Sequence, residues 1–221
     1  MVVGYISVSY LDRVDAGRAL AREIAKSNEK ADLVLGVARG GVVVAREIAD
    51  ALSGALDVIV PRKIGAPYEP ELAIGAISVW GDATVVDRNL VRMVGADDEF
   101  IAREIEAQRE ESERRLLAYR GAVSPPDFHD LNIIVVDDGI ATGYTIQAAA
   151  QGLRNLGAAG IVVAAPVGAP DSVARLANIV DRVICPLQPD TFFAVGSWYR
   201  DFPQVSDEEV ITILREYRGR T

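Results

Sequence analysis

Several things are scarce in this 221-residue sequence. There is one cysteine, Cys185, so no disulfide can form within the chain, and a reducing, cytoplasmic setting is the expectation. Cys185 itself sits in an apolar run and reads as a core thiol. There is one histidine, His129, in the linker-like "DFHD"; a zinc site or a Ser-His-Asp triad needs partners that this stretch lacks. No apolar run approaches the roughly 20 residues of a membrane span. The opening "MVVGYISVSYLDRVDAG" has neither the basic segment nor the long apolar stretch of a signal peptide. Positive charge is short as well: the net charge is -9, with no block of Lys or Arg. A protein that grips nucleic-acid phosphates presents a basic face, so neither nucleic acid nor a membrane is an expected partner. A small anion held in a local pocket stays open.

What is plentiful is short apolar runs. They lie at 32–38, 56–61, 73–79, 83–87, 132–138, 160–167 and 178–185, several nearly continuous in Val, Ile and Leu. Strands covered on both faces read this way. The spacing predicts helices over 41–53, 97–119, 143–156 and 170–177, and one starting at Asp12 as N-cap. Strand alternating with helix implies an α/β fold, a mainly parallel twisted sheet flanked by helices. No linker splits residues 1–221, so one domain is expected: a core over about 31–185, and a smaller cap from 1–30 and 186–221. The helix at 97–119 is highly charged. Glu99–Arg103, Glu110–Arg114 and Glu111–Arg115 are spaced for ion pairs, with Phe100, Ile101, Ile105, Leu116 and Tyr119 turned inward.

The most informative stretch is "NIIVVDDGIATGYT", residues 132–145. A buried strand ends in two adjacent carboxylates, Asp137 and Asp138. Gly139, Ala141, Thr142, Gly143, Tyr144 and Thr145 then lead into a good helix former. Ligands of open parallel sheets bind outside the carboxyl ends of strands, and a helix N-terminus offers free N–H groups to an anion. Carboxylates are poor phosphate ligands, but they accept hydrogen bonds from sugar hydroxyls and help hold Mg²⁺. A ribose 5-phosphate satisfies both halves. No Gly-Lys pair exists for an ATPase phosphate loop, and "GLRNLGAAG" has the wrong glycine spacing for a dinucleotide fingerprint. A second turn repeats the logic. In "LVLGVARGG" a strand ends at Arg39-Gly40-Gly41, where glycines permit close approach and Arg39 supplies a fork of donors. In "PRKIGAPYEPEL", Arg62 and Lys63 follow a strand, and Gly65, Pro67 and Pro70 suggest an irregular loop.

The 132–145 stretch resembles the phosphoribosyl-pyrophosphate motif of type I phosphoribosyltransferases: an apolar strand, two acids and a small Thr/Gly-rich loop. "ARGG" is similar to that family's pyrophosphate turn. "RKIG", "ELAIGA" and "AVGSWYRDF" extend the resemblance to a group of predicted phosphoribosyltransferases over most of the chain. The family pattern has a small residue where Tyr144 stands. The resemblance implies a Mg²⁺-dependent transferase that moves ribose 5-phosphate from phosphoribosyl pyrophosphate to a nitrogen acceptor, most simply a nucleobase. It places Asp137 and Asp138 on the ribose hydroxyls, and on the metal directly or through the substrate. It puts Gly139 and 141–145 on the 5-phosphate, and Arg39, Gly40 and Gly41 on the pyrophosphate. Arg62 and Lys63 become cations of a mobile catalytic loop, in which Glu69 or Glu71 orients substrate or metal. Trp198 or Tyr199, in the aromatic tail, becomes a surface on which the acceptor stacks. A cis peptide is implied at Ala38-Arg39 or Arg39-Gly40, and a homodimer is implied as the assembly. A non-catalytic sensor of phosphoribosyl pyrophosphate remains the alternative.

Overall fold

The computed structural model describes residues 9–27 and 29–218; the parts of the expected cap at 1–8, 28 and 219–221 lie outside them. In chain order the elements are α1 (Arg13–Lys26), β1 (Leu33–Val37), α2 (Gly40–Leu52), β2 (Ala55–Ile59), β3 (Arg62–Ala66), β4 (Glu69–Ser78), β5 (Ala83–Val86), α3 (Arg88–Val94), α4 (Asp98–Arg120), β6 (Asn132–Val136), α5 (Tyr144–Asn155), β7 (Gly160–Ala164), α6 (Pro170–Leu176), β8 (Arg182–Ile184) and α7 (Asp207–Arg218). Asp12 caps α1 by accepting from the backbone N–H of Asp15 at 2.8 Å.

Five strands form one sheet in the order β2-β1-β6-β7-β8, every pair parallel. Their apolar runs are covered on both faces by one core, from Val34 and Leu35 in β1 to Ile134 and Val136 in β6. The expected strands at 73–79 and 83–87 belong elsewhere. With β3 they make a separate antiparallel sheet, β3-β4-β5. The links 67–68 and 79–82 are too short for a parallel crossover, so these strands can only fold back on each other.

Residues 61–77 therefore differ from the irregular loop that Gly65, Pro67 and Pro70 suggested. They form a β-hairpin whose turn passes through Tyr68 at φ 66°. The register shifts on either side of Gly65, where a Cβ would lie 2.7 Å from the carbonyl oxygen of Pro70. Gly65 and Pro70 are accommodated together in that bulge. Ile64, Ile74, Ile77, Val91 and Ile101 close a second small core between the hairpin and the helices α3 and α4.

The charged helix α4 buries Ile101, Leu116 and Tyr119 and half-buries Phe100 and Ile105. Arg103–Glu99 and Arg115–Glu111 pair at 2.6 Å as the spacing predicted. Arg114 does not reach Glu110; it pairs with Glu111 at 2.7 Å. The termini divide. Leu20 and Ile24 of α1, and Val210, Ile213 and Leu214 of α7, enter the main core. Among the described residues, Tyr10, Ala16, Val167, Leu187 and the aromatic tail form a cluster of their own. There Tyr10 bridges Tyr199 in parallel, and the N–H of Arg200 donates to the carbonyl of Tyr10 at 2.9 Å.

Candidate active site

β1 and β6 are neighbours in the sheet and run the same way. Each ends at one of the two turns singled out in the sequence: Val37 runs into Ala38-Arg39-Gly40, and Val136 runs into Asp137-Asp138. The connection from β1 leads on to β2 on one side and that from β6 to β7 on the other, so a crevice opens between them. The two turns touch. A Cβ on Gly40 would overlap Oδ2 of Asp138, and one on Gly41 would lie 2.5 Å from the carbonyl oxygen of Val136. The peptide Ala38-Arg39 is cis.

Together they wall a cavity of about 530 Å³. Arg39 and Gly40 line it from one turn. Asp137, Asp138, Gly139, Ala141, Thr142, Gly143 and Thr145 line it from the other. The β3–β4 hairpin adds Arg62, Lys63 and Glu71, and α4 adds Glu104 and Gln108. Glu69 is exposed and outside this lining, and Gly41 stands behind it at the start of α2. The N-cap of α5 is Gly143 at φ 77°, a conformation that glycine adopts at no steric cost. The first-turn N–H groups of α5 thus begin at the cavity without intrahelical acceptors.

Tyr144 resolves its own misfit with a loop of small residues. Its side chain leaves the cavity, and its hydroxyl donates to Oδ2 of Asp87 at 2.7 Å. Burial, followed by that carboxylate, pushes its pKa up to about 12. The rings expected to stack an acceptor are also elsewhere. Trp198 and Tyr199 are buried in the tail's own cluster, and the Tyr199 hydroxyl donates to the carbonyl oxygen of Asp138 at 2.5 Å. Val195 is the member of that tail that lines the cavity.

The two acids differ. Asp138 is held by Arg13, whose Nε donates to Oδ2 at 2.7 Å; the pair is largely buried. Arg13 also donates to the carbonyl of Pro203 at 2.7 Å and lies 3.7 Å over the ring of Phe202. Among the described residues the Asp137 carboxyl makes no ion pair, and only the more distant Lys63 charge works to lower its pKa. Burial, followed by the neighbouring Asp138 charge, raises its pKa well above the carboxylate range. On the opposite wall Arg62 donates from Nε to Gln108 at 2.9 Å, and Gln108 donates to Glu104 at 2.8 Å, which ties the hairpin to α4. Lys63 is exposed and makes no hydrogen bond or ion pair among the described residues.

Arg13, Glu104, Gln108 and Val195 were not anticipated as wall or partner residues. Nothing in the sequence separates Arg13 from Arg18 or Arg22 further along the same helix. Remote residues of the site lie apart until the fold closes. Two residues read as bystanders stay so: His129 remains on the surface beside Asp130, and the Cys185 thiol, buried, has its pKa raised to about 12.

The sequence model of the phosphoribosyl transferase domain matches residues 8–202. The chain belongs to that family. Two curated Mycobacterium tuberculosis proteins, assigned provisionally by name to the phosphoribosyl transferases, are each 44% identical over 203 residues, 92% of this chain and 46% of theirs. The chain thus spans about half the length of the curated relatives it matches. The solved structure of TT1426 from Thermus thermophilus is 39% identical, with a TM-score of 0.77, covering 95% of this chain and 99% of that one. The mainly parallel α/β architecture is that of the phosphoribosyl transferase family.

Proposed function

We propose that this chain is a phosphoribosyltransferase that moves ribose 5-phosphate from phosphoribosyl pyrophosphate to a nitrogen acceptor, most simply a nucleobase. One observation carries the reading: the acidic pair and the Arg39-Gly40 turn meet around a single cavity at the ends of adjacent parallel strands. In the reaction the C1–O bond to pyrophosphate breaks and its electron pair leaves with pyrophosphate. The lone pair of the acceptor nitrogen forms the C1–N bond, and the nitrogen's proton passes to solvent.

Positive charge develops on the sugar on the way, so fixed geometry and charge balance do most of the work. Asp137 and Asp138 accept hydrogen bonds from the ribose hydroxyls. The N–H groups of 141–145 and the hydroxyls of Thr142 and Thr145 hold the 5-phosphate. Arg39 and the Gly40-Gly41 turn, with Arg62 and Lys63 from the hairpin, hold the leaving pyrophosphate. Among the described residues no group of three or more His, Cys, Asp or Glu side chains could hold a metal alone. That donor set fits Mg²⁺ taken up through one or two carboxylates together with substrate oxygens; bound there, the ion would neutralise pyrophosphate charge. Of the cap expected from about 1–30 and 186–221, Val195 lines the cavity, and the same reading extends to a cytoplasmic homodimer.

A second reading rests on the Arg13–Asp138 bond, which occupies one of the two acids: a sensor that binds phosphoribosyl pyrophosphate without turning it over. Pyrophosphate release across a panel of bases with Mg²⁺ separates the two. Release supports the transferase. Binding without release from any base supports the sensor.

A further inference from the structure

The acidic pair leaves the sheet after its first member. Asp137 is still tied to β7, its N–H donating to the carbonyl of Ala164 at 3.1 Å. Ile140 rejoins the next segment, its N–H donating to the carbonyl of Val167 at 2.9 Å. Between them, Asp138 and Gly139 make no backbone–backbone hydrogen bond among the described residues. A carboxylate that meets a sugar hydroxyl must keep its place to within about half an ångström. The sheet does not supply that hold for Asp138.

The two ends of the chain supply it. The hydroxyl of the buried Tyr199 donates to the carbonyl oxygen of Asp138 at 2.5 Å. Arg13, also buried, donates from Nε to Oδ2 of the same residue at 2.7 Å. Val195 sits so close to Gly139 that a Cβ there would lie 2.4 Å from its Cγ1. Both donors are themselves fixed. Arg13 lies 3.7 Å over the ring of Phe202; that ring packs on Tyr199 with centroids 4.8 Å apart, and Tyr199 packs on Tyr10 at 5.6 Å. The Tyr10 hydroxyl then donates to the carbonyl of Pro166 at 3.0 Å, just past the end of β7. The stack is thereby anchored on the sheet that carries Asp137. Arg13 engages Oδ2 alone, so a second carboxylate oxygen remains for a sugar hydroxyl.

Building on the transferase reading above, we propose that Tyr199 and Arg13 are positioning residues for Asp138, through which the aromatic tail and the start of α1 set the grip on the ribose hydroxyls. Tyr199 is outside the cavity lining, so its effect on a sugar passes through the backbone of Asp138.

The test is calorimetry on the full chain with Mg²⁺. The probes are ribose 5-phosphate, its 2-deoxy and 3-deoxy analogues, and inorganic pyrophosphate. The wild type is expected to prefer ribose 5-phosphate over at least one deoxy analogue by about tenfold, the loss of one hydrogen bond to a charged acceptor. Tyr199→Phe keeps the ring and its packing but loses the hydroxyl. In that variant the preference should fall by about threefold or more, while pyrophosphate affinity stays within about twofold. Arg13→Lys keeps the charge but gives up the planar fork, and should lower the preference as well. A bond that merely fastens the tail would leave the preference unchanged, or would weaken both kinds of ligand alike. Thermal melts check that the variants fold. The proposal is overturned if the wild type shows no hydroxyl preference, if that preference is unchanged in the folded variants, or if Tyr199→Phe weakens pyrophosphate as much as ribose 5-phosphate. Phosphoribosyl pyrophosphate, titrated in the same series, scores the transferase reading by itself. A wild type that binds neither it nor ribose 5-phosphate ends that reading and this proposal with it. Binding with an unchanged hydroxyl preference in the variants overturns the positioning role alone.

Discussion

At the scale of single residues, the two adjacent acids are unequal. Asp137 carries a carboxyl whose pKa is raised by burial and by Asp138. Between its unfolded and folded values the folded chain binds more protons than the unfolded chain, so stability falls as pH rises through that window. Asp137→Asn removes the penalty. Its melting temperature should exceed the wild type's by about 2–4 °C at pH 8, the shift for roughly 1 kcal/mol in a domain of this size. The gain should shrink toward pH 5, while pyrophosphate release drops by orders of magnitude. Melts at both pH values check it; a constant or negative difference would contradict the assignment. Asp138→Asn should behave oppositely, because it leaves the buried Arg13 without a carboxylate. A loss of about 3 kcal/mol in denaturant unfolding is expected, which makes Asp137→Asn the cleaner probe of catalysis. Tyr144→Phe loses the bond to Asp87 and nothing that faces the cavity. It should cost about 1 kcal/mol of stability and leave the rate of pyrophosphate release within about twofold of wild type. The acidic pair and both glycine turns were legible because each is a contiguous motif with one structural use. Arg13 was not, since it meets Asp138 across 125 residues of sequence and differs from its neighbours only once the chain has folded.

At the scale of elements, the parallel strands could be read from their unbroken apolar runs, and the helices between them from their spacing. The hairpin could not. "RKIGA" has no alternation, and the glycine and prolines around it signal breaks; only the bulge at Gly65 lets them stay in a ladder. The helix α7 has a readable pattern, Val210, Ile213, Leu214 and Tyr217 on one face, but it lies past the alternating region, within the stretch expected as cap. The hairpin carries Lys63 on one face and anchors itself through Ile64, which is fully buried in the second core. Ile64→Ala should cost about 2–5 kcal/mol. It should also raise the KM for phosphoribosyl pyrophosphate, as Lys63 and Arg62 lose their support. Equal KM values in the variant and the wild type would separate the hairpin from ligand binding.

At the scale of the whole molecule, the family and the α/β class are settled by agreement between pattern and fold. The wall beyond the 38–40 turn is built from pieces that no local pattern joins: α1, the tail at 202–205, and α4. The rings of Trp198 and Tyr199 are drawn into packing there. The four guanidinium groups of that wall could not be read from a sequence whose overall balance is acidic.

The central claim is that one activated sugar spans both turns. Calorimetric titration of the wild type and Asp137→Asn with phosphoribosyl pyrophosphate and Mg²⁺ tests it most directly. The account predicts saturable binding to the wild type, and binding weaker by about tenfold or more in the variant, as expected for losing a hydrogen-bond acceptor to a ribose hydroxyl. No binding to the wild type, or equal affinities in the two proteins, would contradict it.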